Sequence, residues 1–517
     1  MKRFFGILAA LALLAVSCNT PDSPEAEGEA EAPVLLATSP ADGASDLAGN
    51  SLPVVFTFDQ NIKCTAEGQR GITVVGGAFV NSVNAYGTDL TVTLTGLTRG
   101  SSYTLTLPEG TVQGFKTNQK KTAAIVFHFS TKEPDTPAEP MKPGADSEGW
   151  ENAAACAINM GVGWNLGNTL EANSGSVDNM WIEAFTQRTT KDYETAWGQP
   201  EATRALIHMF KEAGFGAIRV PVTWYPHMGT VTVTVSDNKG HWDMYTWTGY
   251  DVDPVWMARV KEVVGYVLDE GLYCILNVHH DTGDASTAWL RADKGVYGEV
   301  RERYTELWKQ IAAEFEPYGQ QLVFEAFNEM LDAKGTWNYS SDSAHETINL
   351  YNADFVAAVR ATGGNNIHRN LILGTYSASP LPQGLSAFRL PEDSIPEHLL
   401  AEVHSYAPYL FAFDTSTPQT VFDAACESEV KSLVENMNTY LVSKGIPCVL
   451  GEYGCTSNRL EAEMARQAAC YVAAATKYNI PCFYWMTLSD GADRSIPKWT
   501  TPTLKDAIIK AYRDNKK

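Results

Sequence analysis

From about residue 150 to its C-terminal end the chain repeats one unit eight times: a short, unbroken apolar run and then a helical stretch. The runs read NMGVGWNLG, GAIRVPV, YCILNVHH, LVFEAFNE, NLILGTY, LLAEVHSY, CVLGEYG and CFYWM. A strand that is apolar only at alternate residues can leave one face in water. An unbroken apolar strand needs cover on both faces, and parallel sheets clothed by helices supply it. Segments such as VWMARVKEVVGYVLDEG carry the amphipathic period that such cover requires. Eight units within about 370 residues predict an α/β fold, a (β/α)₈ barrel over residues 150–517. An open, doubly wound sheet is the alternative.

The runs lose their apolar character at their C-terminal ends: Asn165, Arg219, His279 with His280, Asn328 with Glu329, His404 with Tyr406, Glu452 and Trp485. In a barrel these ends meet at one mouth, where barrel enzymes keep their chemistry. Solvation does not explain so many polar ends, because polar groups crowded together and buried cost stability. Two glutamates, on the fourth and seventh strands, suggest a glycosidase pair. One carboxyl must be protonated for the leaving oxygen and the other ionised for the anomeric carbon. Arg219 could hold one of them ionised, and His404 and Tyr406 could tune both; geometry of this kind leaves open which glutamate is which. His279 and His280, adjacent on a strand, point to opposite faces and do not suit one metal ion. The chain has no CxxC, so a structural zinc site is not expected either. Trp197, Trp289 and Trp337 read equally as sugar platforms or as packing.

The rest of the chain has a different texture. Residues 34–132 hold short alternating runs, among them LPVVFTFD, DLTVTLTGL and IVFHFSTK, broken by Gly, Asn, Asp and Pro with no helical period. That is the pattern of a small antiparallel β-sandwich, and its ends resemble a bacterial immunoglobulin-like domain. It gathers no titratable cluster and reads as a spacer, with glycan binding as the alternative. Residues 133–149 read as a Pro-rich linker, and residues 19–33 as an acidic tether too poor in apolar residues to fold. Residues 1–18, MKRFFGILAALALLAVSC, pair two basic residues with an apolar run too short to span a bilayer. They resemble a lipoprotein signal with Cys18 as the lipidated residue, although Ala15 stands where Leu is usual. Export to the outer membrane, on the cell surface and held by lipid alone, is the expectation. Cys274, Cys448 and Cys482 lie in apolar runs and read as core residues. The net charge of −22 excludes nucleic acid as a partner and favours a neutral substrate. A monomer is expected.

Seven motifs in order, MGVGWNLGNTLEA, YETAWGQP, IRVPVTW, LNVHHD, FNE, EVHSYAPY and GEYG, resemble glycoside hydrolase family 5, nearest to its subfamily 4. The resemblance spans residues 150–515. It implies a retaining (β/α)₈ endo-β-glycanase without cofactor, with Glu329 as acid/base and Glu452 as nucleophile. It further implies that Arg219, His279, Asn328, His404, Tyr406 and Trp485 surround the −1 sugar, with His280 and Asn165 at positions typical of the subfamily. Met330 departs from the family, which usually has Pro after the acid/base. The expected substrate is a plant β-glucan with β-1,4 links: cellulose, mixed-linkage glucan or xyloglucan. Mannan or xylan is the alternative within the same chemistry. A glycan-binding surface protein without turnover is the alternative outside it, but such a protein has no use for a nucleophile.

Overall fold

The computed structural model describes residues 31–47, 51–76, 78–95, 97, 101–115, 120–131, 139–235, 242–338, 340–415, 419–485 and 491–516. The signal, Cys18 and most of the acidic tether lie outside them. The chain divides into two compact units, Met1–Pro134 and Asp135–Lys517.

The first unit packs two four-stranded sheets. One is ordered Leu35–Ser39, Ser51–Phe58, Asp89–Thr95, Phe79–Tyr86; the other Ala44–Leu47, Ile125–Thr131, Ser102–Leu107, Thr73–Val75. In Asp89–Thr95 the alternation DLTVTLT sends Leu90, Val92 and Leu94 inward and the threonines outward. These residues join Phe56, Leu105, Phe127 and Phe129 in one core. Two expectations need correction. Ile125–Thr131 pairs in parallel with Ala44–Leu47. The chain reaches Ala44 by turning a corner from the other sheet, and only a hairpin forces antiparallel neighbours. A six-residue helix, Ala66–Gly71, also interrupts the strands, capped by the Thr65 hydroxyl at Gly68 N–H.

The second unit is a closed barrel of eight parallel strands: β1 Val162–Asn165, β2 Ala217–Val220, β3 Tyr273–Asn277, β4 Leu322–Glu325, β5 Leu371–Gly374, β6 Leu399–His404, β7 Cys448–Tyr453 and β8 Cys482–Trp485. Alternate residues of the strands divide between two cores. Ile218, Cys274, Leu276, Phe324, Leu373, Leu450 and Tyr484 face the helices. Ala217, Ile275, Val323, Ile372, Leu400, Val449 and Phe483 fill the barrel, where helix Ala153–Met160 packs against them. Helix Pro254–Asp269 shows how the outer layer forms. Asp253 caps Val255 N–H, Pro254 stands at the first turn, and Trp256, Val260, Val263, Val264 and Val267 make the buried stripe.

Two features differ from expectation. Residues 139–149 belong to the barrel unit instead of a free linker: Gly144 N–H donates to Asn152 Oδ1 at 3.1 Å, Asn152 Nδ2 to the Lys142 carbonyl, and Asp146 pairs with His368 at 2.6 Å. An antiparallel ribbon, Met228–Val235 with Trp242–Val252, is inserted after β2; its TVTVTV alternation was the available signal. Among the described residues all eight cysteines are free thiols, Cys274, Cys448 and Cys482 in the core.

Candidate active site

One step above the apolar filling of the barrel, the inward positions turn polar: Asn165, Arg219, Asn277, Glu325 and Glu402, all buried. Arg219 organises them. Its Nε and Nη2 hold Glu325 through two bonds of 2.7 Å, the planar fork against a carboxylate. Its Nη1 donates to Glu452 Oε1 at 2.7 Å and to Asn165 Oδ1 at 3.0 Å. Its Nη2 also donates to Asn328 Oδ1 at 2.9 Å. Asn277 Nδ2 adds a bond to Glu325 at 2.7 Å.

Glu452 reaches this ring by way of a β-bulge. Between β6 and β7 the pairing runs Glu402 with Val449, Val403 with Leu450, then His404 with Glu452, so that Gly451 is an extra residue. The pairing with β8 slips at the same place. Leu450 and Tyr453 both pack in the outer core, which a strand of strict period two forbids. The bulge turns Glu452 inward, a re-aiming for which bulges beside active sites are used. Gly451 has to be glycine here, because a Cβ would lie 3.1 Å from His404 Nε2 and collide with the Glu402 carboxylate.

Above Arg219 stands the pair itself. A carboxylate oxygen from each of Glu329 and Glu452 and a ring nitrogen of His404 lie within 4.8 Å of one another. His404 Nδ1 is 2.9 Å from Glu329 Oε1 and 3.7 Å from Glu452 Oε2, while Nε2 is 3.1 Å from Glu402 Oε1. Tyr406 OH donates to Glu452 Oε2 at 2.7 Å. Burial pushes the Glu452 carboxyl up, but His404, Arg219 and Tyr406 outweigh it and hold the group below its ordinary range. Burial raises Glu329, with Glu452 adding to the rise and His404 only partly opposing it. Burial opposes the charge on His404, yet Glu452, Glu329 and Glu402 together lift it to about 10. A cation could fit between Glu329, Glu452 and His404 by spacing alone. The donor set does not suit one, because a protonated imidazole facing carboxylates on both sides has no lone pair to give.

Each expected residue can now be placed. Asn165 and Arg219 were expected against the sugar; both are fully buried and instead brace Glu452 from below. Asn165, which accepts from Arg219, donates through Nδ2 to the carbonyls of Gly451 and Phe483. His279 Nδ1 accepts from Asn277 Nδ2 at 3.0 Å, which directs Nε2–H toward Glu452 Oε1 at 3.9 Å. Burial, with the charges of Arg219 and His404, keeps His279 neutral. Trp485 lies parallel to it at 5.7 Å. His280 is partly exposed beside Trp197, and burial lowers it to about 4. Trp289 is packing: its Nε1 donates to Asp281 and Arg303 covers its face. Trp337 is exposed. Met330 is buried; its N–H donates to the Asn328 carbonyl at 3.1 Å and its carbonyl accepts from Ser377 N–H at 3.0 Å. The first of these bonds, which a proline could not donate, and the second together fix the backbone after Glu329. Asn277, Glu325 and Glu402 escaped sequence reasoning. Their signal was period two: polar residues two before His279, four before Glu329 and two before His404, inside apolar runs.

A family model described as cellulase (glycosyl hydrolase family 5) matches residues 180–491. The chain belongs to glycoside hydrolase family 5. A second model, the bacterial Ig-like domain, matches residues 29–131. This glycoside hydrolase is 34% identical to Endoglucanase A of Clostridium longisporum over 379 residues, 70% of this chain and 66% of that protein. Among solved structures it resembles the family 5 enzyme of Prevotella bryantii B14, seen in complex with a xyloglucan tetradecasaccharide. That likeness has 38% identity and a TM-score of 0.61, over 70% of this chain and 99% of the other. A GH5-4 broad specificity endoglucanase from an uncultured bacterium is similar at 39% identity and a TM-score of 0.59, over 70% of this chain and 96% of that one.

Proposed function

We propose that this family 5 enzyme is a retaining endo-β-1,4-glucanase of plant β-glucans, xyloglucan among them, with Glu452 as nucleophile and Glu329 as acid/base. The observation that carries the assignment is the unequal treatment of the two carboxyls. Glu452 receives a guanidinium and a phenol at 2.7 Å each, which favours the ionised form that attacks. Glu329 receives neither and is the more open, 22% of its side chain exposed against 6% for Glu452; it is held toward the protonated form and can reach a leaving oxygen. An oxygen of each carboxyl lies within 4.8 Å of the other, which favours the short separation of a retaining pair, roughly 5–5.5 Å, over the roughly 6.5–9.5 Å of an inverting one.

In the first step a Glu452 oxygen bonds to the anomeric carbon, the bond from that carbon to the leaving oxygen breaks, and the Glu329 proton goes to that oxygen. In the second, Glu329 as carboxylate takes a proton from water, the water oxygen bonds to the anomeric carbon, and the ester to Glu452 breaks. The second inversion restores the β configuration. Asn328 Oδ1 accepts from Arg219, which leaves its NH₂ for a sugar hydroxyl. Trp485 supplies an aromatic face beside the site.

The test is a pair of variants on a dinitrophenyl glycoside, whose leaving group needs no proton. Glu329→Gln gives a burst and then a stall, and azide rescues it with a β-glycosyl azide; on glucan it loses on the order of 10²-fold or more. Glu452→Gln gives no burst, and azide yields the α product. The reverse pattern exchanges the two roles. We also read Cys18 as a lipid anchor that holds the enzyme at the cell surface, where a polymer must be met. Cys18→Ser then moves activity from the membrane fraction to the soluble one, and an unchanged distribution removes the anchor.

A further inference from the structure

Among the described residues His404 is the group that stands beside both carboxyls of the pair, and its far nitrogen is engaged by a third. Glu402 Oε1 lies 3.1 Å from Nε2. Glu402 cannot reach a substrate: it is buried, on β6, below the mouth. The groups packed around it are Arg219 from β2, at 3.5 Å; Glu325 from β4, across that guanidinium; His404 on its own strand; and the bare backbone of Gly451 from β7. The fold therefore keeps a glycine and a bulge where a Cβ would displace this carboxylate. A buried carboxyl so placed is held by something the enzyme needs.

That need follows from the charge balance of turnover, and so rests on the roles proposed above. Before the first step the negative charge is on Glu452; after it, Glu452 is an ester and the charge is on Glu329. Nδ1 of His404 stands 2.9 Å from the second and 3.7 Å from the first, and a hydrogen there serves either state. A neutral ring bonded to Glu402 keeps its one hydrogen on Nε2. It then turns a lone pair toward Glu329, where it captures the proton meant for the leaving oxygen. We propose that Glu402 is a positioning residue that keeps His404 cationic, so that its Nδ1–H follows the negative charge from Glu452 to Glu329 and back. The logic is that of a buried carboxylate behind an imidazole, which fixes the ring and stabilises its charged form. Burial and Glu325 push the Glu402 carboxyl up to about 7 against Arg219 and His404, so its own charge is present from neutral pH upward.

The experiment reads His404 directly, by ¹⁵N NMR of histidine-labelled protein, with His404→Asn to assign the ring. In the native enzyme both ring nitrogens stay protonated to about pH 9. In Glu402→Gln, which keeps the shape and loses the charge, the ring loses a proton below pH 8. The alkaline limb of kcat/KM moves to lower pH with it, and kcat/KM at pH 7 falls roughly tenfold or more. Glu402→Asp, which keeps the charge, stays nearer to native in both readouts. A purely structural role lowers the rate at every pH alike and leaves the His404 titration in place; that result overturns the proposal. So does a neutral His404 in the native enzyme at pH 8, a result that does not depend on whether Glu402→Gln folds. Because the titration does not use glucan, a failure of the substrate assignment would show separately, as native enzyme inert on every β-glucan.

Discussion

Tyr406 shows how much one atom decides at the scale of the residue. Its hydroxyl is one of two donors within 2.7 Å of Glu452, and a hydrogen bond to a buried charge is worth about 1.5–3 kcal/mol. Tyr406→Phe is therefore expected to cost about 10- to 100-fold in kcat/KM at pH 7. The pH profile tells the cause. Tyr406 is among the groups that hold the Glu452 pKa down, and the enzyme needs that carboxyl ionised, so activity is lost as pH falls through its folded-state pKa. Without the phenol that pKa rises, and the acid limb of the profile moves to higher pH. An unmoved limb would mean that the hydroxyl acts on the sugar and not on Glu452. Met330 teaches the converse. The sequence shows only that a proline is missing; the hydrogen bonds that replace its effect are made with Asn328 and Ser377, one two positions before Met330 and one far along the chain.

The element that sets the site is the bulged strand β7. Its extra residue aims Glu452, and the glycine at the bulge admits Glu402. Gly451→Ala pushes a methyl into that carboxylate. Overpacking of this kind costs about 1–3 kcal/mol, so the thermal midpoint of the barrel unit is expected to drop by a few degrees while kcat falls further, since Glu402 and His404 must shift. A variant of unchanged midpoint and unchanged kcat would show the position to be roomy. All eight barrel strands were legible in the sequence, because burial on both faces writes an unbroken apolar run that little else produces. Glu329 and Glu452 were legible as interruptions of such runs. The bulge was not. One extra residue leaves the apolar pattern of CVLGEYG intact, and the slip exists only in the pairing with β6 and β8. Arg219 was legible as a site residue but not as the buried hub, since its partners come from strands β1, β4 and β7.

On the scale of the whole molecule, the chain holds two compact units, and the boundary between them matters to anyone cutting it. Residues 139–149 read as linker, yet they bond into the barrel unit through Gly144 and Asp146. A protein starting at residue 139 is expected to match the full chain in thermal midpoint and in activity on a soluble glucan. One starting at residue 150 loses those bonds and is expected to melt several degrees lower. Equal midpoints would show residues 139–149 to contribute nothing. The polar ring inside the barrel has a wider consequence. Two carboxyls and a guanidinium share a space of the kind that apolar residues fill elsewhere in the barrel, and replacing buried ionic groups with hydrophobic ones is often neutral or stabilising. Selection for heat resistance alone would thus be drawn to Glu325, Glu402 and Arg219, and would erode the enzyme from the inside while its surface and its two glutamates at the mouth stayed unchanged. A thermostable descendant of this chain is best screened on turnover at each round, because an intact catalytic pair would conceal the damage beneath it.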